Sequence, residues 1–197
     1  MGQPILLAKT TSGMVAPSKR LIEKLSQTFK FGTPVQVDNG VDGGVKEWAG
    51  TPATDLIAGF STEDAQNISA TGLDAPGAMQ AYGGLGSSLT YGSVPNQTNA
   101  KNIARGGPVQ DGRVSFEASF PGSVFSGAVG STQTTVATDV DKEYGLTKDS
   151  DGFWYVDRTK TGANACVHIT GLDPLDGPKL GGRVLFVVMP ASAQTLG

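Results

Sequence analysis

The sequence predicts an all-β fold of small barrel or sandwich units, preceded by an extended N-terminal arm and one short helix. Glycine accounts for 28 of the 197 residues, about twice its usual share of roughly 7%. Most of these glycines separate short apolar runs, as tight turns require. Apolar and polar residues alternate through residues 113–120 (RVSFEASF), which is typical of a strand with one buried face.

The chain divides into four segments by composition. Residues 1–30 are predicted to form the arm and the helix, and residues 31–70 a small β unit. Residues 71–110 are rich in glycine and proline and show no periodicity, which indicates a linker or loop region. Residues 111–197 have the strongest strand pattern and are predicted to form a C-terminal β-barrel or sandwich.

The helix is predicted over residues 17–29. Ser18 can cap its start, and the apolar side chains of Leu21, Ile22, Leu25 and Phe29 fall on one stripe. A short helix of this kind is typical of a segment that covers one face of a sheet.

The N-terminal arm carries several apolar side chains without a regular period. Burying a leucine or isoleucine contributes about 1.5–3 kcal/mol, so leaving several in water would be costly. We therefore expect a neighbouring subunit or another partner to cover the arm. The alternative is that the arm pairs as an edge strand within its own subunit. The expected contact residues are Ile5, Leu6, Leu7, Met14 and Val15.

Two groups of strands are predicted from alternation and turn chemistry. Residues 33–37 and 45–48 flank a turn rich in Asp, Asn and Gly and indicate a hairpin, and residues 56–60 indicate a third, buried strand. In the C-terminal part, the turn-forming sequences DSDG and DPLDGP lie between further strands. These further strands are predicted at residues 153–157, 165–170 and 183–189.

Composition excludes several classes of function. The formal net charge is −3 and no block of Lys and Arg exists, so nucleic acid is not an expected partner. No apolar run reaches the roughly 18 residues of a membrane span, and the N-terminal residues do not resemble a signal peptide. We therefore expect synthesis in a cytoplasm and no membrane partner.

The sequence carries no recognisable catalytic or metal-binding motif, and we therefore expect no enzyme activity, metal or cofactor. Cys166 and His168 are two apart on a predicted strand and could share a face, but no third residue orients them. The sequence DSDG resembles part of a calcium loop, yet EF-hand spacing places Thr147 and Arg158 at the first and twelfth positions. Residues 83–88 (GGLGSS) match no phosphate-binding loop. We therefore expect both Cys166 and His168 to be dispensable.

Three segments resemble the opening of tailed-bacteriophage capsid decoration proteins, also called head cement proteins. They are residues 31–37 (FGTPVQV), 45–48 (VKEW) and 57–61 (IAGFS), in which a GTPV strand leads to a hairpin and an IAG strand. Later runs are similar to phage structural proteins, namely residues 144–149, 154–157, 159–162, 167–174 and 184–188.

The resemblance implies a structural protein that binds the outside of an assembled capsid and stabilises the joints between capsomers. Its implied partner is the major capsid protein, its implied assembly a homo-oligomer, with a trimer favoured, and its implied location the virion exterior after synthesis in the host bacterial cytoplasm. The N-terminal arm would then contact another subunit or the capsid.

Two alternatives remain open at this point. One is another virion component, such as a tail or head-fibre protein, although the repeats or heptads typical of a fibre are absent from the sequence. The other is a β-sandwich carbohydrate-binding module, in which Trp48, Trp154 and Tyr155 would form an exposed platform.

Overall fold

The computed structural model describes residues 3–10, 18–24, 27–38, 44–65 and 113–194. Three 3₁₀ helices lie within these ranges, at Ala137–Asp139, Gly162–Asn164 and Pro190–Ser192. The strands are β1 (Leu6–Thr10), β2 (Ser18–Ile22), β3 (Pro34–Asp38), β4 (Gly44–Glu47), β5 (Gly59–Ser61), β6 (Arg113–Ala118), β7 (Ser123–Ala128), β8 (Glu143–Lys148), β9 (Trp154–Asp157), β10 (Val167–Leu172) and β11 (Arg183–Val188).

The strands form two antiparallel sheets. The first sheet has the order β1-β7-β11-β10-β8-β9, and the second has the order β2-β6-β5-β3-β4. The described residues contain no closed barrel, and the arrangement is sandwich-like. The predicted all-β class is therefore confirmed.

A core of large aromatic side chains joins the two sheets. Phe60 of the second sheet packs against Phe125 and Phe186 of the first, with ring centroids 4.5 and 5.8 Å from its own. A second cluster includes Val35, Phe116 and Phe29. Val35 pairs with Gly59, the residue before Phe60, so strand alternation places the two clusters on opposite faces of the second sheet.

Several strands predicted from alternation are confirmed. β3 and β4 form the expected hairpin, with Val35 opposite Glu47 and Asp38 opposite Gly44, and β5 pairs with the other side of β3. In β6, positions 114, 116 and 118 are buried while 115 and 117 are partly exposed, as the alternation requires. β9, β10 and β11 overlap the three C-terminal strands predicted from sequence.

The helix predicted over residues 17–29 is wrong. Ser18–Ile22 is β2, which pairs with β6 from Ser18 opposite Glu117 to Ile22 opposite Arg113, and residues 27–30 are not helical. A helix of about 12 residues is only marginally stable by itself, because nucleation is costly. Pairing with β6 satisfies the same backbone groups and outweighs the local preference. Residues 11–17 and 25–26 lie outside the described residues.

The N-terminal arm forms an edge strand in its own chain. β1 pairs antiparallel with β7, from Leu6 opposite Ser126 to Thr10 opposite Ser123. This is the alternative arrangement that the sequence left open for the arm. Met14 and Val15 lie outside the described residues.

Each sheet draws strands from more than one of the segments defined by composition. The second sheet combines β2 from residues 1–30, β3 to β5 from residues 31–70, and β6 from residues 111–197. The first sheet joins β1 to the C-terminal strands in the same way. The glycine-rich segment 71–110 lies outside the described residues.

The segment after β11 returns to the second sheet. Ala193 forms a parallel bridge with Ile57, and the Gln194 side chain accepts a hydrogen bond from Val37 N (2.7 Å) and donates one to Val37 O (2.9 Å). β5 is too short to reach this part of β3, so the Gln194 amide satisfies backbone groups that a longer strand would have paired.

Candidate functional site

Cys166 and His168 do not form a nucleophile pair. Cys166 is fully buried in the core with Val167 and Ile169, and burial raises the pKa of its thiol to about 12. His168 is one-third exposed, and its Nε2 lies 3.7 Å from Oδ1 of the exposed Asp141. A buried, protonated thiol is a poor nucleophile, so Cys166 is best explained as a core residue.

The sequence DSDG at residues 149–152 forms a tight turn between β8 and β9. Gly152 N donates to Asp149 O (3.1 Å), Phe153 N donates to Asp149 Oδ1 (2.8 Å), and Gly152 has φ of +87°. The Asp149 carboxylate thus holds the turn. Across the described ranges, no group of three or more His, Cys, Asp or Glu side chains could hold a metal ion.

The two tryptophans belong to the core, so they cannot contribute to the exposed platform of Trp48, Trp154 and Tyr155 that the carbohydrate-binding alternative requires. Trp48 is 1% and Trp154 6% exposed, with ring centroids 5.3 Å apart. Their indole N–H groups donate to Asp55 O (2.9 Å) and Glu47 Oε1 (2.8 Å), which satisfies them inside the protein. Only Tyr155 keeps a partly exposed ring.

Contacts within the chain hold the start of the N-terminal arm. Ile5 is 1% exposed and belongs to the aromatic core, so the chain's own side chains cover it rather than a partner. Arg183 on β11 donates to Pro4 O (3.0 Å), Gln3 Oε1 (3.1 Å) and Ser126 O (2.6 Å). Leu7 is half-buried against the core, and Leu6 is 39% exposed.

Gly32 and Gly59, from the GTPV and IAG motifs, lie where the backbone leaves no room for a side chain. A Cβ on Gly32 would lie 2.6 Å from Ile5 N, and Gly32 also has φ of +79°. A Cβ on Gly59 would lie 2.1 Å from Glu117 O on the neighbouring strand. The first glycine therefore lets the N-terminal arm pass close to the turn before β3, and the second lets β5 approach β6.

A polar cleft of about 280 Å³ lies beside β9. One wall is the loop after β7, residues 130–133, and the other is the turn at residues 149–152. Aromatic residues of β9 and the residue before it, including Tyr155, also line the cleft, as do Gln3 of the N-terminal arm and Gly181. Sequence reasoning missed this cleft, because its walls are loops that are distant in the chain and carry no motif.

Asp157, at the end of β9, links the loop that contains Gln133 to β8 and to the residues after β9. Its carboxylate accepts hydrogen bonds from Thr159 Oγ1 (2.7 Å), Thr147 Oγ1 (2.8 Å) and Gln133 Nε2 (3.2 Å). Burial acts to raise the pKa of Asp157, but these hydrogen bonds outweigh it and lower the pKa below its ordinary value of 3.8. Burial and the negative charges of Asp157 and Asp149 raise the pKa of Tyr155.

Together, the two sheets and the cleft define a sandwich-like antiparallel β protein with a polar surface cleft beside the end strand β9 of the first sheet. In the described part of the chain, no helix is long and apolar enough to cross a membrane. Comparison of the chain with protein-family models, with curated proteins and with solved structures gives no match.

Proposed function

We propose that the chain is a structural protein that binds the outer surface of an assembled tailed-phage capsid and stabilises the joints between capsomers. The observation that carries the proposal is the arrangement of the three segments that resemble decoration proteins. They fold next to one another as β3, β4 and β5 of one sheet, and their motif glycines lie where other backbone atoms come too close for a side chain. The resemblance thus covers a contiguous structural unit.

A protein that braces capsomer joints needs a scaffold that resists deformation. Side chains of β8 and β9 tie the first sheet to the second: Lys148 Nζ lies 2.8 Å from Glu47 Oε1, and Trp154 donates to the same oxygen. Lys30 adds a hydrogen bond to Asp151 O and lies 4.4 Å from the centroid of the Phe153 ring. Many rigid copies bound to one shell would gain avidity from modest individual contacts.

We propose the outer edge of β1 as the contact with the major capsid protein or a neighbouring subunit. β1 is the end strand of the first sheet, and an edge strand offers backbone N–H and C=O groups to another chain. Leu6, at 39% exposure, adds an apolar side chain there. A trimer in solution would agree with this contact and is measurable by light scattering.

Sedimentation with empty capsids tests the function directly. The purified protein is mixed with capsids that lack it, and the bound amount is measured at increasing protein concentration. We expect binding that saturates at a fixed number of copies per capsid. Failure to sediment with intact tailed-phage capsids that lack the protein would contradict the proposed function.

The contact surface is tested with Leu6→Asp. Because Leu6 is at the surface, we expect the variant's free energy of unfolding to change by no more than about 1 kcal/mol. We expect the variant's affinity for the capsid to fall at least tenfold. Thr170→Asp, at an exposed position on β10, is the control and should bind normally. Ile5→Ala should instead lower the stability by about 2–4 kcal/mol. A folded Leu6→Asp variant with unchanged affinity would show that β1 is not the contact.

A further inference from the structure

The cleft beside β9 has rigid walls formed by the protein's own hydrogen bonds. Gln133 N donates to Gly130 O (2.7 Å) and Gly181 N donates to Gln133 O (2.8 Å), which closes and anchors the loop at residues 130–133. The Gln133 side chain is also fixed, since it accepts from Arg158 N and donates to Asp157. The Asp149 carboxylate fixes the opposite wall. A cleft with preformed walls binds a ligand with little loss of conformational entropy.

The ring of Tyr155 in this cleft packs against Gly130. A Cβ on Gly130 would lie 3.1 Å from Cε2 and 3.4 Å from Cδ2 of Tyr155, so the ring packs directly on the Gly130 backbone. The ring remains partly exposed in the cleft. An aromatic ring held in this way offers an apolar surface to a ligand in an otherwise polar site.

The remaining polar groups in the cleft are available for hydrogen bonds. The side chains of Ser131, Thr132, Ser150 and Asp151 line the cleft, are exposed, and make no hydrogen bond to the other described residues. Hydroxyl groups both donate and accept, and a carboxylate accepts. Such a set suits a ligand with several hydroxyl groups of its own.

The charges in the cleft select against an anionic ligand. Asp149 and Asp151 line it, and no Lys or Arg is among its described lining residues. The nearby Lys30 ammonium is directed to Asp151 O and the Phe153 ring. A phosphate or a sialylated sugar would therefore meet two carboxylates and no Lys or Arg side chain among the lining residues.

From these features we propose that the cleft binds a neutral sugar unit of a larger glycan. The sugar ring would stack on Tyr155, and its hydroxyl groups would bond to Asp151 and to the hydroxyls of Ser131 and Thr132. The cleft volume of about 280 Å³ is near the lower end of ligand sites, roughly 300–1,000 Å³. Leu6 and the other residues of β1, the proposed capsid contact, are not among the residues that line the cleft, so the cleft adds a second binding function.

Nuclear magnetic resonance titration of the ¹⁵N-labelled protein tests the proposal. The probes are the methyl glycosides of glucose, galactose, mannose and N-acetylglucosamine, with that of N-acetylneuraminic acid as the anionic comparison. We expect at least one neutral glycoside to shift amides in residues 130–133 and 149–155, with a dissociation constant on the order of 1 mM. The anionic glycoside should leave them unchanged.

Two variants with matched controls localise the effect. Thr132→Trp fills the cleft from an exposed position and should weaken binding at least tenfold, whereas Thr161→Trp, also exposed, should not. Asp151→Asn should weaken binding severalfold, whereas Asp141→Asn, an exposed carboxylate elsewhere, should not. The proposal is overturned if no neutral glycoside shifts these amides, if Thr132→Trp binds normally, or if the anionic glycoside binds equally well. Capsid attachment by the same variants is expected to stay normal, so either proposal can fail alone.

Discussion

The two edge strands of the first sheet, β1 and β9, are held in different ways. β9 belongs to a hairpin with β8, joined by the turn at residues 149–152. β1 pairs with β7, and all five strands of the second sheet lie between these two strands in the chain. A hairpin can form from neighbouring residues, whereas β1 depends on contacts that close a long loop. The following changes should therefore affect the two edges differently.

The largest effect is expected from Gly32→Ala, which acts on the β1 edge. The added Cβ would overlap Ile5 N and would also stand at a positive φ, so we expect a loss of about 2–5 kcal/mol in the free energy of unfolding. Gly162→Ala is the control, because Gly162 has φ of +60° but no atom within 4 Å of the added Cβ. It should lose only about 1–2 kcal/mol. Equal losses of unfolding free energy for the two variants, measured by urea unfolding, would show that the approach of Ile5 to Gly32 is not tight.

A somewhat smaller effect is expected from Arg183→Met. This change removes donors to Pro4 O and Ser126 O, and we expect a loss of about 2–3 kcal/mol. Hydrogen exchange should lose protection at β1 amides before those of β8 and β9. Lys179→Met removes an exposed cation paired with Asp176 and should cost less than about 1 kcal/mol. An equal loss of amide protection in β1 and in β8 and β9 would contradict a specific role of Arg183 in holding β1.

At the β9 edge, Asp157→Asn should cost about 1–2 kcal/mol, because an amide cannot accept all the hydrogen bonds of the carboxylate. The pKa of Asp157 is lower in the folded state, so its ionised form stabilises the fold above the ordinary pKa of 3.8. That stabilisation is lost as the pH falls through the folded pKa. Urea unfolding from neutral pH to below pH 3.8 should therefore show a shallower acid loss in Asp157→Asn. A parallel pH profile would contradict this role.

The smallest effect is expected from Lys148→Ala, which removes the exposed ion pair between β8 and Glu47. Exposed pairs contribute roughly 0.2–1 kcal/mol and are screened by salt. The loss should therefore shrink as sodium chloride is added. Lys142→Ala, at another exposed lysine, serves as the control and should change the stability less at low salt. A loss that does not depend on salt would assign Lys148 a packing role instead.

The sequence predicted strands where the signal is local. The hairpin of β3 and β4 follows from alternation around a turn, and β6 follows from a strict two-residue period. β7 was missed because all six of its positions are buried, so it lacks the alternation of a half-exposed strand. β2 was misread as a helix because Leu21 and Ile22 begin an apolar stripe with helical spacing and do not alternate, and only the pairing with β6 shows that the segment is a strand.

The candidate sites show the same limit. Composition suggested that aromatic side chains could bind a ligand, but it could not separate the buried Trp48 and Trp154 from the partly exposed Tyr155. The polar cleft needs loops from two parts of the chain, which no spacing rule brings together. For the N-terminal arm, the apolar residues predicted burial against a partner. In the structure, Ile5 is instead buried in the core of its own chain.

The closing segment at residues 190–194 has a consequence for synthesis on the ribosome. β1 and β2 are synthesised before their partners β7 and β6, which follow residues 66–112, and Ala193 and Gln194, which bond to Ile57 and Val37, are synthesised later than all eleven described strands. Strands made early must remain unpaired while later ones are translated, and unpaired strand edges are prone to aggregate. The nascent chain therefore completes both sheets late, and a product ending before β11 would lack the central strand between β7 and β10.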